Sequence, residues 1–465
     1  MSKALLLDSI PVIVYVLLLF WIGFKATRPQ ADEDEFLLGG RSLTIPAFVA
    51  TLVSTWYGGI LGIGEFVYTS GLVAWVVMGL PYYLFALLFA LFLAGKIRQA
   101  DTVSIPDIMY RRYSRKVGLL SGVFIVLMTS PAPYILMLAV LLRYFFHTSL
   151  LMAIVSSAFF SMIYVYWGGF RSVVQTDKLQ FIFMFAGFLL LLIFLVHILS
   201  PVTLFQKLDS THRSLKGNLS WQNITVWFFI ASWTFIDPGF NQRCAAARTA
   251  QIARKGIVIS VLFWFAFDML TLLSGLYAYV LLPHIEPLMA YPAIADRFLP
   301  PIARGLFFVG LFATIMSTID SYTFLSAMGI GRDIIYEFLG RGREKESTGY
   351  VKIGLIITGI IAVIMAYTMP SIVELWYNLG SLFIPPLLLP ILGAYLRPFK
   401  MRAGVAFILM TGSFAIGLFF LIWGYGHALN GSVQYPFGVE PFFPAMIYSL
   451  AVFSLAKIVL QGKNF

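Results

Sequence analysis

The sequence predicts an all-α polytopic membrane protein with about thirteen transmembrane helices, and three observations carry this prediction. The 465-residue chain is 60% hydrophobic but only 11% charged, whereas soluble domains carry about 25% charged residues. Its apolar runs are repeatedly long enough to cross a bilayer, which takes about 20 helical residues. Its basic residues concentrate in alternate connecting segments, as expected of a chain that crosses a membrane many times.

The apolar runs give the order of the helices. We predict spans at about 8–25, 46–70, 72–96, 117–141, 149–168, 174–200, 222–242, 255–284, 302–336, 349–369, 371–397, 402–424 and 437–460. The polar segments between them are too short to bury a core of their own. The first run has no small-residue cleavage pattern, so we expect it to be retained as helix one.

The net charge of +11 is better explained by loops of a membrane protein than by nucleic-acid binding. Two basic clusters follow odd-numbered helices: Arg111, Arg112, Arg115 and Lys116 after helix three, and Arg243, Arg248, Arg254 and Lys255 after helix seven. The positive-inside rule then predicts an N-terminus outside and a C-terminus in the cytoplasm, in a cell inner (plasma) membrane. The single cysteine, Cys244, excludes an internal disulfide framework and a multi-cysteine metal site.

The second and seventh helices each contain a break. Residues 56–65 of helix two hold four glycines within seven positions, and residues 233–239 of helix seven include Pro238. Glycines loosen a helix, and proline removes a backbone hydrogen bond and clashes one turn back. Each break alone is compatible with a kink or a tight crossing, but paired interrupted helices in two halves of a chain indicate a transporter binding site. Each break also lies beside a carboxylate, Glu65 and Asp237.

A dense polar cluster lies within helix nine. Its members are Thr314, Ser317, Thr318, Asp320 and Ser321. Residues three and four apart share a helix face, so the four hydroxyl residues form one oxygen-rich stripe. Hydroxyl, carbonyl and carboxylate oxygens suit a hard cation. A lone intramembrane hydroxyl usually bonds its own helix, but five polar positions including an Asp favour a site.

Several motifs in order along the chain resemble the sodium/solute symporter family. They are FLLGGRSL at 36–43, GGFRSVVQTDKLQ at 168–180, NQRCAAAR at 241–248, ARKG at 253–256, MSTIDS at 316–321 and GRD at 331–333. The resemblance implies a LeuT-like core of two inverted five-helix repeats with broken first helices. It divides the chain into an extra N-terminal helix and loop (1–45), a first repeat (46–200), a second repeat (201–397) and C-terminal helices eleven and twelve (398–465).

The resemblance implies a secondary active transporter, not an enzyme, that couples Na⁺ influx to uptake of a small organic solute by alternating access. An H⁺-coupled symporter, and a channel or ligand sensor on the same fold, are the alternatives. Two acids at the breaks favour amino acids or their derivatives over sugars as the solute. The oligomeric state stays open.

The resemblance also assigns site residues. One Na⁺ would be bound by Gly58, Leu61, Thr314, Ser317 and Thr318. A possible second Na⁺ would be bound by Asp177, Ser317, Asp320 and Ser321, although Asp320 stands where the family pattern has a hydroxyl. Solute contacts would come from Trp56, Tyr57, Glu65, Asp237, Trp376 and Tyr377.

Overall fold

The computed structural model describes residues 3–27, 32–337, 347–368, 372–428 and 433–461. The helices of the first half are α1 (Lys3–Lys25), α2 (Glu33–Leu38), α3 (Ile45–Trp56), α4 (Ile60–Ser70), α5 (Val73–Met78), α6 (Leu80–Phe89), α7 (Gly95–Gln99), α8 (Ile105–Arg112), α9 (Arg115–Met128), α10 (Ala132–Phe146) and α11 (Leu150–Ile198). Within the described ranges the chain forms no strand beyond an isolated bridge between Leu43 and Ala247.

The second half continues the same pattern. Its helices are α12 (Pro201–Lys207), α13 (Ser210–Arg213), α14 (Trp221–Ile230), α15 (Pro238–Ala246), α16 (Ala250–Leu281), α17 (Ala290–Phe298), α18 (Ala303–Met328), α19 (Ser347–Thr368), α20 (Ile372–Tyr395), α21 (Ala403–Gly426) and α22 (Phe442–Gln461). The predicted all-α membrane fold is therefore confirmed.

In the described ranges, nine helices are long and apolar enough to cross a membrane, or up to ten if the bent pair α3–α4 is one span. The helix α11 has 49 residues, which at 1.5 Å per residue is about 74 Å, far longer than a bilayer core. Gly169 interrupts it with φ 55° and ψ −148°, a conformation that favours glycine. The helix α11 is thus long enough for the two consecutive passes expected from the sequence, and the total of thirteen spans and the repeat boundaries stay predictions.

Both breaks predicted from the sequence are present. The helices α3 and α4 meet at an angle of 57°, with Gly58 and Gly59 between them. A Cβ on Gly58 would lie 2.2 Å from Thr318 Cβ, and one on Gly59 would lie 1.8 Å from Trp376 Cη2. Glycine is required here because α3 and α4 approach α18 and α20 too closely for a side chain.

The second break separates α14 and the short helical turn Ala231–Phe235 from α15. Asp237 caps α15 by accepting a hydrogen bond from Phe240 N (2.9 Å), and Pro238 occupies its first turn. The helix α15 extends to Ala246, so Arg243, expected in a loop, is instead a fully buried helical residue. The loop expectation for Arg243 was wrong because the proline restarts the helix.

The helix α18 lies at the centre of the bundle, since every residue from 307 to 328 is buried. It packs against α1, α3, α11 and α19. The start of α3 is joined to the end of α15, because Leu43 N donates to Ala246 O and Arg248 N donates to Leu43 O, both at 3.1 Å. Both helices contact α18. This arrangement brings the two broken helices and the polar stripe of α18 together.

Candidate ion and solute sites

The end of α3 meets the hydroxyl stripe of α18 in a buried, oxygen-lined contact. Thr318 Oγ1 donates to Thr55 O (2.6 Å), and Ser317 Oγ lies 2.9 Å from Ser54 Oγ. Gly58 lies directly against Thr318. The structure therefore brings together three of the residues expected at the first Na⁺ site, Gly58, Ser317 and Thr318.

The other two residues of that expected site are buried near the same break. Thr314 Oγ1 donates to Gly310 O of its own helix (2.7 Å), which is the ordinary behaviour of an intramembrane hydroxyl. Its lone pairs still accept, since a hydroxyl offers one donor and two acceptor positions. Leu61 lies fully buried in the first turn of α4. Neutral carbonyl and hydroxyl oxygens of this kind suit a hard monovalent cation.

A second polar cluster lies toward Ser321 on the same face of α18. The Asp177 carboxylate accepts hydrogen bonds from Ser317 Oγ (2.6 Å) and from the Thr51 hydroxyl. Thr55 Oγ1 lies 3.0 Å from Ser321 Oγ. Asp177, Ser317 and Ser321 are thus neighbours, as the second-site assignment expects.

Asp320 does not join that cluster. Its carboxylate accepts hydrogen bonds from the hydroxyls of Ser161 and Tyr164, and Gln180 Nε2 lies 3.5 Å from it. These three partners all belong to α11, so the Asp320 carboxylate is directed toward them and not toward the hydroxyls of Ser317 and Ser321. The structure thus places Asp320 outside the group formed by the other residues of the proposed second Na⁺ site.

Arg243 occupies the centre of the Asp177 cluster and was missed by the sequence assignment. Its Nη2 donates toward Ser321 Oγ (2.6 Å), Thr55 Oγ1 (3.0 Å) and Thr51 Oγ1 (3.1 Å). The same nitrogen lies 3.8 Å from Asp177 Oδ2, and both side chains are fully buried. The sequence did contain a signal for such a residue: several acids lie within membrane spans, and buried carboxylates need a cationic or hydrogen-bonding partner.

Beside the two breaks lies a cavity lined mainly by aromatic rings. About 720 Å³ of empty space, open solvent included, lies between its lining residues. Seven of its eleven lining residues are aromatic: Trp56, Tyr82, Tyr134, Trp227, Trp233, Tyr322 and Trp376; the others are Gly59, Ile63, Met78 and Ile230. Trp56 and Trp376 were expected at the solute site, whereas the other five rings were missed.

Asp237 lies directly behind this aromatic wall. Trp233 Nε1 donates to its Oδ2 (2.9 Å), and Tyr322 OH donates to the same oxygen (3.4 Å). Both of these side chains line the cavity. The carboxylate therefore has two roles: one oxygen caps α15, and the other orients two aromatic groups of the wall.

The remaining expected solute residues lie elsewhere. Tyr57 donates to Asp268 Oδ1 (2.7 Å), and the Tyr83 hydroxyl donates to the other oxygen of Asp268. Tyr377 packs against Trp227, with ring centroids 5.4 Å apart, behind the lining. Glu65 is half-buried on α4. The aromatic cavity is therefore not lined by Tyr57, Tyr377 or Glu65.

Comparisons with known proteins identify the family of the chain. A family model described as the sodium:solute symporter family matches residues 36–396. The sodium/pantothenate symporter of Escherichia coli is 25% identical, with 96% of this chain and 95% of that protein covered. The high-affinity choline transporter 1 of Drosophila melanogaster is 25% identical over 78% of this chain, which spans 62% of the fly protein's length.

A structural comparison supports the fold independently. The solved structure of a Na⁺-coupled sialic acid symporter, in a substrate-bound outward-open state, matches with a TM-score of 0.80. The alignment covers 98% of each chain at 17% sequence identity. At that identity the likeness concerns the fold and not the solute.

Proposed function

The chain belongs to the sodium:solute symporter family, and from this premise we propose that its solute is a small organic cation or zwitterion. As a member of this family it is a multi-pass membrane transporter that couples Na⁺ movement to solute uptake. We propose that the solute's ammonium group binds in the aromatic cavity and that Na⁺ binds between the α3–α4 break and α18. The aromatic cavity is the observation that carries the solute class.

The lining of the cavity favours a cation over a sugar or an anion. Faces of Trp and Tyr rings attract an ammonium group by about 0.5–2 kcal/mol each. The Asp237 carboxylate, one hydrogen bond behind Trp233 and Tyr322, adds negative charge at the same wall. A sugar would instead need many polar groups directed into the site, and four of the lining residues are indoles. The fly relative named a choline transporter supports the same solute class.

The coupling is energetically favourable for such a solute. Each positive charge that moves inward across 100 mV releases about 2.3 kcal/mol. A cationic solute and one Na⁺ would both gain from the membrane potential, before any sodium gradient is counted. Binding of Na⁺ would hold α18 against the break of α3–α4, the element that also supplies Trp56 and Gly59 to the cavity.

Ligand binding to the purified protein tests the solute class. Choline, glycine betaine, proline, pantothenate and glucose would each be titrated in Na⁺ and in K⁺ buffer, with tryptophan fluorescence and thermal unfolding as readouts. We expect choline or glycine betaine to bind in Na⁺, and Trp233→Phe to weaken binding about 5- to 30-fold. Trp221→Phe is the matched control, because Trp221 is 70% exposed. Binding of glucose or pantothenate with no response to the ammonium compounds would contradict the proposal.

The sodium site has its own test. A bound ion stabilises by mass action, about 2.7 kcal/mol at a hundredfold excess over Kd, so Na⁺ should raise the unfolding temperature and K⁺ should not. Replacing Ser317 and Thr318 together with Ala should abolish that difference and leave the fold intact. Equal shifts in both salts would count against a sodium site.

We also propose that the N-terminus lies outside and the loop at 97–116 in the cytoplasm, from the charge of the loops. Introduced cysteines near residue 3 and in that loop would be labelled from each side in a Cys244→Ser background. Labelling near residue 3 from the cytoplasmic side alone would overturn this topology.

A further inference from the structure

Arg243 is a buried cation surrounded by oxygens. Its Nη2 lies within 3.1 Å of three hydroxyl oxygens from two helices, those of Thr51 and Thr55 on α3 and of Ser321 on α18. The Asp177 carboxylate on α11 is 3.8 Å away. Hydroxyls plus one carboxylate, gathered from three helices, form the kind of shell that a hard cation requires.

Asp177 already has a counter-charge in Arg243. Asp177 and Arg243 are both fully buried, and an additional unpaired ion in the same place would be costly. Each hydroxyl oxygen toward which Arg243 donates also has one of its two acceptor positions taken by the guanidinium, so less of its capacity is left for an ion. Removing the guanidinium would reverse both conditions, leaving a buried carboxylate and three hydroxyls without a cation.

We propose that Arg243 acts as a tethered cation in place of a second sodium ion, so that this chain binds one Na⁺ per transport cycle. The inference rests on the proposed sodium coupling and extends it to the stoichiometry. The guanidinium connects α15 to α3, α11 and α18. It holds these helices together permanently, whereas a diffusible ion would do so only while bound.

Equilibrium binding of radioactive ²²Na⁺ to the purified protein in nanodiscs measures the stoichiometry directly. We expect saturation at one Na⁺ per chain for the wild type and at two for Arg243→Ala. Arg243→Lys, which keeps a charge, and the double variant Arg243→Ala with Asp177→Asn should each bind one. Arg304→Ala is the matched control, because Arg304 pairs with Asp8 and Asp296 away from the cluster, and it should also bind one.

Three results would be decisive against the idea or its premise. Saturation of the wild type at two Na⁺ would overturn the tethered-cation role, whether or not Arg243→Ala folds. A monodisperse Arg243→Ala protein that still binds one Na⁺ would overturn it as well. A wild type that binds no Na⁺ would instead overturn the sodium coupling on which the inference rests.

Discussion

Two buried carboxylates lie at α18, Asp177 from α11 and Asp320 of α18 itself, and their hydrogen-bonding and charged partners differ. On one face Ser317 donates to Asp177, which has the Arg243 guanidinium 3.8 Å away. On the other face Asp320 accepts hydrogen bonds from Ser161 and Tyr164. In the described part of the chain no Lys, Arg or His nitrogen lies within 4.0 Å of Asp320.

The two carboxylates therefore differ in their partners: Asp177 has a nearby cation, whereas Asp320 has uncharged hydrogen-bond donors. Asp177 accepts a hydrogen bond from Thr51, which itself contacts the Arg243 guanidinium. A change of charge at either residue therefore affects the whole cluster. Asp320 has its oxygens occupied by hydroxyl and amide donors of α11, on both sides of the Gly169 break. We therefore expect the Asp177 face to govern ion binding and the Asp320 face to fix the position of α18.

The largest effect is expected from Asp177→Ala. The change leaves the Arg243 guanidinium buried without its counter-charge, which typically costs about 3–5 kcal/mol. Denaturant unfolding in Na⁺-free detergent buffer measures the loss. The paired variant Asp177→Asn with Arg243→Gln should recover most of it. A single variant no less stable than Asp320→Asn would refute the ionic assignment of this face.

A smaller loss is expected from Gly58→Ala. The new methyl group would lie 2.2 Å from Thr318 Cβ, and a β-carbon cannot rotate away, so the break of α3–α4 must move from α18. Overpacking of this kind costs about 1–3 kcal/mol, and sodium affinity should fall with it. Gly404→Ala is the control, since no atom lies within 4 Å of its added Cβ. Unchanged sodium affinity in Gly58→Ala would place the ion elsewhere.

Asp320→Asn should lower the free energy of unfolding by about 1–2 kcal/mol. The amide keeps one acceptor oxygen, but its NH₂ group would face the hydroxyl and amide donors that now bond the second oxygen. The number of Na⁺ ions bound should stay at the wild-type value. Thermal unfolding and ²²Na⁺ binding check the two statements separately. A loss of sodium binding without a loss of stability would make Asp320 an ion ligand and reverse the comparison.

The smallest change in stability is expected from Thr314→Val. Its hydroxyl hydrogen is used within its own helix, so removing it should alter the unfolding free energy by about 0.5 kcal/mol or less. Sodium affinity should nevertheless fall about fivefold, the loss of one ligand oxygen worth about 1 kcal/mol. An unaltered affinity would remove Thr314 from the site.

Much of the fold and of the first ion site follows from local signals in the sequence. The glycines around Gly58 and the proline at position 238 break helices wherever they occur, and the structure breaks both helices there. The spacing of Ser317, Thr318 and Ser321 fixes them on one helix face. Such features depend on near neighbours along the chain, which is why the sequence alone predicts them.

The residues that sequence reasoning missed depend on contacts between distant segments. Arg243 reads as a loop residue because it follows an apolar run, yet it is held by Thr51 and Ser321, far from it in sequence. The rings of Tyr82 and Tyr134 are ordinary in a chain that is 17% aromatic, and only the packed bundle turns them toward one cavity. A surplus of buried acids over assigned cations was the one usable sign of Arg243.

The chain's single thiol, Cys244, follows Arg243 in α15 and is free and fully buried. Because it adjoins the tethered guanidinium, it becomes reactive only when α15 separates from the helices that cover it. Reaction of this native side chain with a membrane-permeant maleimide therefore measures the rate of conformational cycling. Its alkylation rate, followed by mass spectrometry with no introduced label, would report how often that end of the transporter opens.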